Sequence, residues 1–215
     1  MSELTELDHT RHRDFHVIEN AQIQYSATQH LLNIQVTEIA QMVCNLPVFL
    51  TKDPQHGLWR LSALTSFSVG HNLLIQNNRW LSAYQPSYIQ TYPFYLMNSP
   101  RDENTYTIGI DEQSDVFSTT QGEALFDSNG KGSEFLTRIK TMLEADIQNN
   151  INTYQFGKEL ETLGLCKSIN LLLTYADNNT QKITGLVTLD EDKLQSLSAE
   201  QLLTLNKKGY LAQIH

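Results

Sequence analysis

Residues 169–189, INLLLTYADNNTQKITGLVTL, decide the fold class. Ile169, Leu171, Leu173 and Tyr175 recur at every second position, the period of a strand with one covered face. Asp177-Asn178-Asn179 carries turn chemistry. Ile183, Leu186, Val187 and Leu189 then bring the chain back as a partner strand. The stretch reads as an antiparallel hairpin.

Working outward, the same marks recur. Phe94 to Met97 and Tyr106 to Ile110 read as two strands around a polar loop, Asn98 to Asn104. Trp59, Leu61 and Ala63 alternate, followed by Phe67 and Val69. Gly70-His71-Asn72 forms a turn, Asn72 to Gln76 a strand, and Asn77-Asn78 a second turn. Val48-Phe49-Leu50 is a short strand closed by Lys52-Asp53-Pro54.

Helices separate the hairpins. Ser26 or Thr28 caps a helix expected to run to Asn45, with Leu31, Leu32, Val36, Ile39 and Val43 on its face. Pro86 opens a short one that Pro93 ends or kinks. Ser133 caps the longest, whose stripe includes Leu136, Ile139, Leu143, Ile147 and Tyr154. A break is expected at Gly157 and an end at Gly164. Ser198 with Gln201 forms a capping box ahead of Leu202, and Gly209 sits at a C-cap position. Without regular βαβ alternation, the expectation is α+β: a single domain with a mixed or mainly antiparallel sheet of hairpins, packed by about four helices. Residues 1–28 read as an N-terminal arm or short strands, and residues 29–215 as the α+β domain.

The formal net charge of -9 disfavours nucleic-acid or anionic-membrane binding, which needs clustered Lys and Arg. From Arg101 to Glu134, eight acidic residues stand against Arg101 and Lys131, so this stretch holds -6 of the -9. No apolar run approaches the ~20 residues of a membrane helix. The charged N-terminus lacks the apolar core of a secretory signal. Cys44 and Cys166 form no paired framework, and a reducing cytoplasmic compartment is expected.

The most distinctive local feature is aromatic. Trp80, Tyr84, Tyr88 and Tyr92 recur every four residues, with Phe94 and Tyr95 close behind. Such rings line a ligand or partner groove, or fill a core. Arg79 beside them suits an anionic group. The carboxylates Asp111, Glu112 and Glu123 are the candidates for a cation site or for acid–base chemistry with a histidine. His9, His12, His16 and His30 are read as solvated histidines on the arm; His12 and His16 have an i,i+4 spacing, but no zinc-peptidase motif accompanies them. Asp127 to Gly132 begins like a calcium loop, yet Lys131 and Arg138 occupy ligand positions, so it reads as a glycine turn. Cys44 reads as a buried structural cysteine, and no nucleophile or phosphate-loop motif is present. No metal and no cofactor is expected.

Three ordered blocks carry a family resemblance. The first is Asn72-Leu73-Leu74, Arg79-Trp80, then Tyr84-Gln85-Pro86-Ser87-Tyr88-Ile89 and Tyr92-Pro93-Phe94. The second is Ile110-Asp111-Glu112 with Gly122-Glu123-Ala124-Leu125-Phe126-Asp127 and Gly130. The third is Gly185-Leu186-Val187, Leu189-Asp190-Glu191-Asp192-Lys193-Leu194 and Gly209-Tyr210-Leu211. In order and spacing they resemble the bacterial SapC family, over roughly residues 5 to 215. The resemblance implies no enzymatic reaction. The family name points to surface-layer loci, and some members carry a permease label that this chain, without membrane spans, does not fit. Members also sit beside genes for cupin-like oxygenases and flavin-dependent halogenases, whose products are candidate partners.

The expected function is therefore a non-catalytic binding or accessory protein that recognises a protein, peptide or small ligand through the aromatic block. The alternatives are an enzyme of unrecognised type using carboxylates of the 111–127 region, and a surface-layer component.

Overall fold

The computed structural model describes residues 4–53 and 57–214. The chain is α+β, and among the described residues every strand pairing is antiparallel. It forms two compact units, neither continuous in sequence. The first takes the segment ending at Thr28 together with residues 74–81 and 87–148. The second takes residues 29–73, 82–86 and 149 onward.

The first unit is built on a three-stranded sheet, in the order Thr5–Glu6, Asp102–Ile110, Phe94–Ser99. Phe94 pairs with Ile110 and Leu96 with Ile108, so all four share one face. Three two-residue strands, Phe117–Ser118, His16–Val17 and Glu123–Ala124, make a second small sheet. Ile75–Gln76 and Arg79–Trp80 form a hairpin. Asn77 and Asn78 turn it with φ of 50° and 58°, the left-handed pair a two-residue hairpin requires. The core contains Val17, Phe94, Ile110, Leu125, Leu136 and Ile139.

The second unit holds a five-stranded sheet in the order Cys166–Thr174, Thr180–Leu189, Val48–Lys52, Trp59–Leu64, Leu31–Ile34. Its core joins Leu61 and Ala63 to Phe156, Leu160, Leu165 and Leu205. Helices Glu191–Gln195, Ala199–Lys207 and Leu211–Ile214 follow the hairpin. The Ser198–Gln201 capping box is formed in both directions.

Several sequence expectations are corrected. The helix placed between Thr28 and Asn45 is absent. Ala21–Ala27 is helical, Leu31–Ile34 is a strand, and only Val36–Glu38 (a 3-10 turn) and Ile39–Met42 are helical beyond it. Leu31 to Ile34 pair with Leu64 to Leu61, burying Leu32 and Ile34; the pairing overrides the helical spacing of three and four. The polar loop Asn98 to Asn104 is mostly strand, and the strand placed at Asn72 to Gln76 shrinks to Ile75–Gln76. The longest helix, Glu134–Thr162, runs through Gly157 without a break. A Cβ there would lie 2.5 Å from the Cβ of Trp59, so this glycine serves close packing. The expected α+β class with antiparallel hairpins holds, and the described residues form it from seven α-helices and four sheets. Of the turn at Lys52-Asp53-Pro54, Pro54 lies outside the described residues.

Candidate functional site

The aromatic block does not stay together. Tyr84 belongs to the second unit, where its hydroxyl donates to Glu38 Oε1 at 2.6 Å. Glu38 is buried, and its other oxygen accepts the backbone N–H of Gln35 at 2.7 Å. Tyr84 thus helps solvate a buried carboxylate. Arg79 and Trp80 sit on the short hairpin of the first unit, Arg79 exposed and Trp80 half-buried.

Tyr88 and Tyr92 do converge, with Tyr95 of the same block and one ring from elsewhere. Tyr25, on the helix Ala21–Ala27, stacks on Tyr92 with centroids 4.0 Å apart and planes 14° apart. Tyr95 lies 5.6 Å from Tyr88 and meets Tyr92 edge-on at 6.3 Å. Burial, and then the neighbouring Tyr88, push the phenols of Tyr25 and Tyr95 far above their ordinary range. Burial also raises Tyr92, whose hydroxyl lies 3.4 Å from Ser114 Oγ. These are neutral hydrogen-bonding phenols, the opposite of what a tyrosinate base or nucleophile requires. Sequence reasoning missed Tyr25, which lies 63 residues from Tyr88 in a segment read only as an arm or short strands.

The three candidate carboxylates have separate surroundings. Asp111 Oδ1 accepts the backbone N–H of Gln113 at 3.1 Å. Glu123 is exposed, 3.9 Å from Arg138. Glu112 accepts from Arg11 Nη2 at 2.5 Å and is hydrogen-bonded to His12 Nε2. His12 is fully buried, so its reading as a solvated histidine is corrected. Its Nδ1 accepts the backbone N–H of Asp8 at 2.9 Å, which leaves the ring proton on Nε2, facing Glu112. Both ring nitrogens are engaged within the fold, so His12 offers no free nitrogen to a substrate.

Other motifs resolve simply. Asp127 Oδ1 accepts the backbone N–H groups of Asn129 and Lys131, as a glycine turn predicts. Among the described residues no group of three His, Cys, Asp or Glu side chains could hold a metal ion. Cys44, expected to be buried, is exposed, with its thiol directed to the Ala40 carbonyl at 3.3 Å. Burial, then Glu161, raises the thiol pKa of Cys166.

A further surface feature of the first unit lies on the sheet face opposite Tyr95. An open groove of about 680 Å³ runs between the strands and the first half of the long helix. Leu96 and Ile108 line it from the sheet, and Leu136, Leu143 and Ile147 from the helix. Its rim carries loose pairs of opposite charge: Arg101 and Glu6 at 3.9 Å, Lys140 and Glu144 at 3.8 Å. Tyr106 stands exposed on the same wall. The sequence disguised these residues, because a stripe at helical spacing and an alternating strand read as core whether or not anything covers them.

No helix among the described residues is long and apolar enough to cross a membrane. The family model described as SapC matches residues 7–215. No curated protein and no solved structure matches the chain.

Proposed function

The chain belongs to the SapC family, and from that membership and the geometry of the first unit we propose that it is a non-catalytic binding or accessory protein. Its ligand is a short amphipathic peptide segment of a partner protein, seated in the groove between the sheet and the long helix. One observation carries this reading: a groove in which half-buried Leu96, Ile108 and Ile147 lie beside the buried Leu136 and Leu143, rimmed by charges of both signs that are only loosely paired.

From Leu136 to Ile147 the groove follows about 17 Å of helix at 1.5 Å per residue. That length suits roughly five extended residues. A partner with alternating apolar and charged side chains would replace the loose rim pairs with its own. The aromatic block then acts indirectly. Tyr25, Tyr88, Tyr92 and Tyr95 back the strand Phe94–Ser99 from its other face and hold that wall in place. In this reading the protein works in the cytoplasm, where Cys44 and Cys166 remain thiols.

A display library of random peptides, panned against the whole chain, tests the proposal. Enriched peptides of amphipathic pattern are expected, and their binding should fall at least about tenfold with Ile147→Asp or Lys140→Glu. Peptides that bind both variants as well as the unaltered chain would overturn it.

A further inference from the structure

We propose that the strand Cys166–Thr174 is a homodimer interface at which two copies of this chain pair antiparallel about Leu172. The strand ends the five-stranded sheet, and among the described residues no other strand pairs with its outer edge. Native sheets shield such edges with prolines, bulges, charges or short length. Here the edge is nine residues long. From Ser168 to Ala176 it carries neither charge nor proline. The irregularity in the hairpin is borne by the inner strand, where Thr184 and Gly185, the latter at φ 82°, stand opposite Asn170 alone. The edge strand keeps its alternation.

The hydrogen bonds fix which groups face outward. Tyr175 N–H donates inward to the Asn179 carbonyl at 2.9 Å. Backbone polar groups alternate sides along a strand, so Leu173 and Leu171 also face inward, toward Gln181 and Ile183. The N–H and C=O of Asn170, Leu172 and Thr174 therefore point away from the sheet. These three side chains are exposed as well, Leu172 at 70%.

One register satisfies all of these groups at once. With the two-fold axis at Leu172, Leu172 exchanges both backbone bonds with its own counterpart, and Asn170 does so with Thr174 of the second copy. On one face Leu172 meets Leu172 and Asn170 meets Thr174. On the other, Leu171 meets Leu173 and Ile169 meets Tyr175, an aliphatic–aromatic cross-strand pair. Just beyond the paired segment, Lys167 of one copy approaches Asp177 of the other. Apolar groups meet apolar, polar meet polar, and the charges at the ends are opposite, which is the self-complementarity an isologous interface demands. This pairing involves the second unit only and is independent of the groove proposed above.

The test is the mass of the intact chain in solution, by light scattering or sedimentation across a dilution series. A dimer is expected at about 100 μM, and Leu172→Lys should raise its dissociation constant at least about tenfold, since it sets two ammonium groups face to face. Residue 172 is so exposed that the fold should survive, as circular dichroism would show. The register has its own readout. With Cys44 and Cys166 changed to serine, Leu172→Cys should form an interchain disulfide under mild oxidation, because a directly opposed pair of this type spaces its Cα atoms at about 5.5 Å. Leu171→Cys, which faces residue 173, should not. A chain that stays monomeric, a dimer indifferent to Leu172→Lys, or cross-linking through 171 instead of 172 would overturn the proposal; binding of unrelated extended peptides along a monomeric edge would do so as well.

Discussion

His12 and Glu112, one hundred positions apart in the chain, are joined by a hydrogen bond from the His12 Nε2 proton to a carboxylate oxygen. The other nitrogen of the ring caps the backbone N–H of Asp8, and the ring meets Phe15 edge-on at 5.1 Å. The N-terminal segment is thereby fastened to the turn after Ile110. His12→Ala removes a fully buried side chain and leaves the Asp8 amide without its acceptor. It should lower the unfolding free energy by about 3 kcal/mol, measured by urea titration. Glu112→Gln keeps an acceptor oxygen and should cost only about 1 kcal/mol.

The substitution Gly157→Ala reverses a usual sign. In an open helix interior it would stabilise by about 1 kcal/mol. Here the new methyl group would lie 2.5 Å from the Cβ of Trp59, whose indole N–H also donates to Glu161 at 2.7 Å. The indole is held at both ends and cannot easily yield. A loss of about 1–3 kcal/mol is expected instead, read as a lower midpoint of chemical unfolding.

How much was legible follows from where each signal resides. The 169–189 hairpin, the Asn77-Asn78 turn and the Ser198 cap were readable because their causes are local: alternation, left-handed asparagines, a capping box. The segment Leu31 to Ile34 was misread because its strand state depends on Leu61 to Leu64, about thirty residues away and invisible to any local window. Gly157 looked like a break because the sequence does not show Trp59 lying against it. For the candidate site, the residue types were visible but their partners were not. Tyr88 and Tyr92 were singled out, while the meeting with Tyr25 and Tyr95, the loss of Tyr84 to Glu38, and the burial of His12 are all products of tertiary contact.

The two thiols should react in separate phases with an aromatic disulfide reagent. Cys44 is exposed, whereas Cys166 is partly buried with its thiol pKa raised. One equivalent should react quickly and be lost in Cys44→Ser; the second should react slowly and quicken on unfolding. Equal rates for both would contradict the exposure of Cys44.

The tyrosine cluster makes the fold sensitive to alkali. Tyr25, Tyr92 and Tyr95 all have phenol pKa values raised above the ordinary value of 10.0, chiefly by burial. A raised value means that the folded state holds these protons at a pH where the unfolded chain has released them. Their contribution to stability is therefore complete below pH 10 and declines as the pH rises above it. Phenolate absorbance should show a group of tyrosines that ionises only as the far-ultraviolet dichroism collapses. Tyr88→Phe removes the hydroxyl that bonds both Tyr25 and Tyr95, and with it part of what raises them. Because burial is the larger cause, the alkaline transition should move only modestly toward neutral in that variant. Tyr25→Phe, which removes one of the shifted phenols, should flatten the fall in stability above pH 10. If all the tyrosines ionised together while the dichroism stayed intact, the phenols of this cluster would be open to water and the stacked layer behind the groove would not exist.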